Sequence, residues 1–69
     1  MTVLVNGTPT DLADGTTVAD LLVRLDLAPE ARGVAVAVDA EVVPRGEWER
    51  RALSDGAKVE VLQAVGGGS

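Results

Sequence analysis

Three consecutive glycines, Gly66-Gly67-Gly68, precede the last residue and are the positions most open to chemistry. Glycine loses more conformational freedom on ordering than any other residue and has no side chain to pack, so a functional glycine run works through its backbone. Residues 66–69 reach at most ~13–14 Å when extended at ~3.3–3.6 Å each. That reach carries a terminal carboxylate from a docked globular body into a partner's enclosed site, and a chain without Cβ atoms threads a narrow channel. A carboxylate is a poor acyl donor. The chemistry this end suits is therefore ATP-dependent conversion to an acyl-adenylate by a partner enzyme, then displacement of AMP by sulfur or a thiolate, with the protein as substrate and carrier. Gly-Gly-Gly-Ser by itself reads as a linker or disordered end, and only what precedes it raises the motif above that reading.

The rest of the 69-residue chain narrows the alternatives. Cysteine and histidine are absent, which removes disulfides, thiolate and imidazole catalysis, and nearly every zinc or transition-metal site. A chain of this length buries only ~60% of the surface its unfolded form exposes, leaving room for one core and none for an enclosed substrate cavity. Catalysis by its own side chains is disfavoured, and neither a bound cofactor nor a metal is expected. Six basic against eleven acidic residues give a formal net charge of −5. Phosphate-backbone binding needs clustered Lys and Arg, and the single aromatic residue, Trp48, makes no base-stacking platform, so nucleic acid is not an expected partner. The longest apolar run, Val34 to Val38, falls far short of the roughly 20 residues of a membrane span. No basic, signal-like stretch opens the chain. No membrane partner and a cytoplasmic location are therefore expected, and missing cysteines fit a reducing compartment.

Presenting such a tail requires a compact body. Thr2-Val3-Leu4-Val5 favours a strand, and Asn6-Gly7 is the dipeptide preferred in two-residue type I′ hairpins, because both residues tolerate positive φ. The return strand runs through Thr8 to Leu12, and Ala13-Asp14-Gly15 ends it. A helix follows, capped by Thr16 or Thr17, with Asp20 in its first turn and an apolar stripe of Val18, Leu21, Leu22 and Leu25 at i, i+3, i+4 and i+7. Pro29 suits the first position of a short helical turn and Gly33 its exit. Val34-Ala35-Val36-Ala37-Val38 then alternates large and small, as a strand whose Val face meets the helix. Asp39-Ala40 predicts a tight turn, Glu41-Val42-Val43-Pro44 a short edge strand, and residues 45–51 a polar loop or partial helical turn. After Ser54-Asp55-Gly56, residues 58–65 predict a long strand with a central place in the sheet.

Two strands, a helix and three more strands, with the last paired beside the first, describe an α+β β-grasp, or ubiquitin-like, sheet of four to five strands crossed by one main helix. Several other α+β arrangements share this element list. The chain divides into a ubiquitin-like domain over residues 1–65 and a flexible Gly-rich tail over residues 66–69.

Ordering a tail costs ~1–2 kcal/mol per residue in backbone entropy, so binding energy must come from a docking patch on the domain. If Val59 and Val61 point inward, Leu62 and Ala64 face outward near the tail, and Leu4 faces outward when Val3 and Val5 face the core. Leu4, Leu62 and Ala64 are the expected partner-docking residues. Isolated surface leucines are the plain alternative, and a one-residue bulge would reverse the assignment. The many acidic residues either complement a basic partner or form solvated faces. Trp48 reads as a lid over a small core. Arg45, Arg50 and Arg51 have Glu47 and Glu49 among them, which favours surface ion pairing over an anion site.

The segments Val3-Leu4-Val5-Asn6-Gly7, Thr17-Val18-Ala19-Asp20-Leu21-Leu22, Val34-Ala35-Val36-Ala37-Val38, Val43-Pro44-Arg45-Gly46-Glu47-Trp48, Leu53-Ser54-Asp55-Gly56 and Val65-Gly66-Gly67-Gly68 are specific in combination. Together they resemble the ThiS family, the sulfur carrier proteins of thiamine biosynthesis, over essentially the whole chain. The Val-Pro-Arg-x-x-Trp segment discriminates best. The resemblance implies that the terminal glycine carboxylate is adenylated by an E1-like adenylyltransferase using ATP. A sulfur donor enzyme then supplies the thiocarboxylate, whose sulfur passes to thiazole synthase. It makes Gly67 and Gly68 the sulfur-carrying residues, with Gly68 the activated end. Ser69 departs from the family pattern, in which the chain usually stops at glycine: it is a foreign remnant, or is removed before activation, or marks divergence. Two alternatives stand beside this reading. One is a sulfur carrier for another pathway, such as molybdopterin, cysteine or a secondary metabolite; the other is a ubiquitin-like modifier or binding module.

Overall fold

The computed structural model describes residues 1–27 and 33–64. The helical turn expected at Pro29 and the tail, Gly66, Gly67, Gly68 and Ser69, lie outside the described residues. Strands β1 (Thr2–Val5) and β2 (Thr8–Asp11) pair antiparallel. The turn between them has Asn6 at φ 49° and Gly7 at φ 84°, the doubly left-handed backbone of a type I′ turn, whose twist matches its strands.

Helix α1 (Val18–Arg24) begins at Thr17, one of the two expected caps. Thr17 Oγ1 accepts the Asp20 N–H, and Asp20 Oδ2 accepts the Thr17 N–H, each at 3.1 Å. The next two free amides of the first turn are satisfied by residues 48–51: Val18 N–H donates to the Arg51 carbonyl at 2.9 Å and Ala19 N–H to the Trp48 carbonyl at 3.0 Å. A helix end that would otherwise leave its donors unpaired is thereby tied to a distant loop.

The helix stops one residue before Leu25, which caps it and is 37% exposed instead of completing the buried stripe. Asp26 takes φ 63°. Its N–H donates to the Val23 carbonyl at 3.0 Å, and Leu27 N–H reaches the Leu22 carbonyl at 2.7 Å. These are the paired bonds of a Schellman stop, with Asp26 in the place glycine usually holds. Leu27 packs against the core beyond it.

Strand β3 (Val34–Val38) buries its three valines, leaves Ala35 exposed and half-buries Ala37. The turn to β4 (Glu41–Val42) has Asp39 at φ 50° and Ala40 at φ 70°. An alanine there bears a left-handed cost that glycine escapes. Ala40→Gly is accordingly expected to stabilise the domain by about 0.5–1 kcal/mol, net of the extra freedom glycine gives the unfolded chain. A melting temperature at or below that of the parent chain contradicts this.

Strand β4 is shorter than residues 41–44, because Val43 already turns into the core and Pro44 opens a 3-10 turn over Arg45–Glu47. Trp48 is buried and donates its indole N–H to the Val43 carbonyl at 2.9 Å. The Arg45 guanidinium stacks 4.7 Å from the ring centroid.

The final strand, β5 (Lys58–Gln63), completes a five-stranded mixed sheet in the order β2-β1-β5-β3-β4, parallel to β1 and antiparallel to β3. Val18, Ala19, Leu21 and Leu22 of the helix join Val3, Val5, Val34, Val36, Val38, Val59 and Val61 in one core. This is the β-grasp arrangement. Among the described residues, no helix is long and apolar enough to cross a membrane.

Candidate functional site

The last described residues approach the point where the glycine run begins. Along β5, residues 58, 60, 62 and 64 make their backbone bonds toward the β3 side, and residues 59 and 61 toward β1. The β1 strand ends at Val5, opposite Val59, so Val61 has no backbone partner there. Asn6 supplies one. Its Oδ1 accepts the Val61 N–H at 2.8 Å and its Nδ2 donates to the Val61 carbonyl at 3.1 Å, so an amide side chain reproduces one more rung of the ladder. On the other side, Ala64 N–H donates to the Gly33 carbonyl at 2.7 Å.

The sheet face away from α1 carries the apolar surface nearest this exit. Leu62 is 69% exposed, and its register partner on β3 is Ala35. Ala37 pairs with Val42 of β4, which is 75% exposed. These four side chains and Glu60 border one shallow concavity. Leu4 shares the face but is half-buried and stands opposite Lys58, four residues along β5 from Leu62, or about 13 Å at the usual rise of a strand. It borders a second concavity with Gly7, Asp39, Ala40 and Lys58, which shares Glu60 with the first. Ala64 lies exposed just past the end of β5. The structure thus brings Leu62 together with Val42, Ala35 and Ala37, and sets Leu4 apart. Val42 was not singled out from the sequence, although alternation with an inward Val43 is a signal for it. Asn6 and Gly33 were read there only as turn residues.

Among the described residues, no group of three or more acidic side chains is placed to hold a metal ion.

The family model for ThiS matches residues 3–68, nearly the entire chain. The chain belongs to the ThiS family. Sulfur carrier protein ThiS of Escherichia coli strain K12 is 34% identical over 68 residues, a match covering 99% of this chain and 100% of that one. The crystal structure of the thiamine biosynthesis protein ThiS from Geobacter metallireducens superposes with a TM-score of 0.80 at 36% identity, over 99% of this chain and 100% of that one. Two thiazole synthases also contain a segment like this ThiS chain. That of Paramagnetospirillum magneticum is 35% identical over 69 residues and that of Magnetococcus marinus 38% over 68, covering 100% and 99% of this chain. The chain spans only 21% and 20% of those two proteins.

Proposed function

We infer that this ThiS-family chain is a sulfur carrier of thiamine biosynthesis, a protein acted on by enzymes and not itself a catalyst. The observation that carries this reading is the match to the full length of a sulfur carrier protein, on a chain whose glycine run follows the central strand of the sheet. The Gly68 carboxylate attacks the α-phosphorus of ATP in the site of an E1-like adenylyltransferase, releasing pyrophosphate and forming an acyl-adenylate. Sulfur delivered as sulfide by a donor enzyme then adds to the carbonyl carbon. AMP departs with the electrons of the C–O bond, and a thiocarboxylate remains. We assign Gly67 and Gly68 as the carrying residues, Gly66 as their spacer and Ser69 as a residue absent from the activated form. Thiazole synthase is the acceptor, a reading supported by the two synthases that hold such a segment within their own chains. We place these steps in the cytoplasm.

Docking falls to the outer sheet face: Leu62, Val42, Ala35 and Ala37 form its apolar centre, Ala64 its border with the tail and Leu4 its far end. Contact there supplies the binding energy that ordering the tail consumes.

A form ending at Gly68, incubated with the adenylyltransferase, ATP and a sulfide source, is expected to gain the mass of one oxygen-to-sulfur exchange, located by fragmentation at its last residue. An unchanged mass refutes the carrier reading, and high-mass conjugates through lysine would favour a protein modifier instead.

A further inference from the structure

We propose that Asn6 is a positioning residue for partner docking: its side-chain amide holds the two peptide groups that flank Val61 and so aims Leu62, the apolar centre of the outer sheet face. The proposal rests on the carrier reading and adds a residue to it. Strand β1 stops at Val5, in register with Val59, while β5 runs on to Gln63. Asn6 spans that step. Its backbone N–H donates to the Val59 carbonyl at 2.9 Å. Its side chain takes the next rung, with Oδ1 accepting the Val61 N–H at 2.8 Å and Nδ2 donating to the Val61 carbonyl at 3.1 Å.

The turn by itself does not ask for this side chain. At φ 49° glycine, asparagine and aspartate are the residues that fit most readily, and of the three only asparagine carries a donor and an acceptor together. The peptide group that contains the Val61 carbonyl also contains the Leu62 nitrogen, so a bond to that carbonyl fixes the plane from which Leu62 departs. On its other flank Leu62 is in register with Ala35 of β3. Its side chain is exposed, so the backbone on its two flanks sets its direction more than burial does. Asn6 is itself exposed. Shortening it therefore opens no cavity in the core, and water can satisfy the two groups it leaves. Water does not hold them in one direction, and a leucine whose backbone wanders must be ordered again each time a partner covers it.

The test compares Asn6→Gly, which keeps the left-handed turn and removes both side-chain bonds, with the parent chain, both ending at Gly68 and both shown folded by circular dichroism. With carrier concentration varied against the adenylyltransferase, ATP and sulfide, KM is expected to rise about fivefold while kcat stays within about twofold. Amide exchange at Val61 is expected to accelerate. In a Leu62→Ala background the same change is expected to raise KM by less than about twofold, because two residues acting through one contact are not additive. Should Asn6→Gly fail to fold, Asn6→Asp keeps the turn and the acceptor, sets a carboxylate against the Val61 carbonyl, and carries the same expectations for KM. A folded Asn6→Gly with unchanged KM, with Val61 still protected, or with an equal rise in both backgrounds overturns the proposal while leaving the carrier reading intact. A parent chain that takes up no sulfur removes both.

Discussion

Leu62→Glu is expected to lower kcat/KM for sulfur loading by about a hundredfold or more. Burying a leucine side chain is worth about 1.5–3 kcal/mol, and a carboxylate in its place is driven into an apolar contact without a partner, which costs further. Glu60 already stands on the same face one pleat away, so the new charge also meets a like neighbour. Stability responds far less. The position is 69% exposed, and the poorer strand preference of glutamate amounts to at most about 1 kcal/mol. Val42→Glu is expected to act in the same direction, whereas Leu4→Glu, about 13 Å away along the strand, has the smaller effect. Initial-rate kinetics with the adenylyltransferase, paired with urea unfolding of each variant, separate lost docking from lost folding. Equal rates for Leu62→Glu and the parent chain would remove this face from the recognition surface.

Trp48→Ala carries the largest expected loss of stability, about 3–5 kcal/mol for deleting a buried ring. A domain of this size has a total stability on the order of 3–10 kcal/mol at the usual 0.05–0.15 kcal/mol per residue, so the variant is expected to be largely unfolded at growth temperature. Two features concentrate that loss in one side chain. The ring is 3% exposed and its N–H satisfies the Val43 carbonyl. Trp48→Phe keeps most of the packing and orphans the Val43 carbonyl, a penalty of about 1–3 kcal/mol. Urea titration followed by far-ultraviolet circular dichroism checks both, since the only indole of the protein is gone. A Trp48→Ala chain as stable as the parent would show that this residue is an ornament of the surface and not a closure of the core.

The elements that sequence could announce are those whose signal is local. Asn6-Gly7 specifies its turn because few other dipeptides hold two left-handed residues. The Val/Ala alternation of β3 specifies which face is buried, and Thr16-Thr17 places the helix start to within one residue, the structure choosing Thr17 through its reciprocal bonds with Asp20. The end of that helix was not legible, because Asp26 does glycine's work there without being glycine. Nor was the company Leu62 keeps. Its outward direction follows from the period of a strand, but its nearness to Val42 depends on β3 lying between β5 and β4, a fact of topology that no local spacing contains. Gly33 was legible as a turn residue. Its tie to Ala64 was not, because that bond joins residues 31 positions apart.

The place of β5 between β1 and β3 governs how this protein comes into being. Without that strand the remaining four make two separate hairpins with no bond between them, and an isolated hairpin is barely stable in water. While a ribosome still holds residues 58–63 in its exit tunnel, the emerged portion consequently has no finished sheet on which to condense. Closure is a single late event, driven by pairings between the beginning and the end of the domain, which makes folding slow relative to helical proteins of equal length. On the carrier reading proposed above, an adenylating enzyme that docked on the assembled outer face would meet only molecules whose synthesis has passed the last strand.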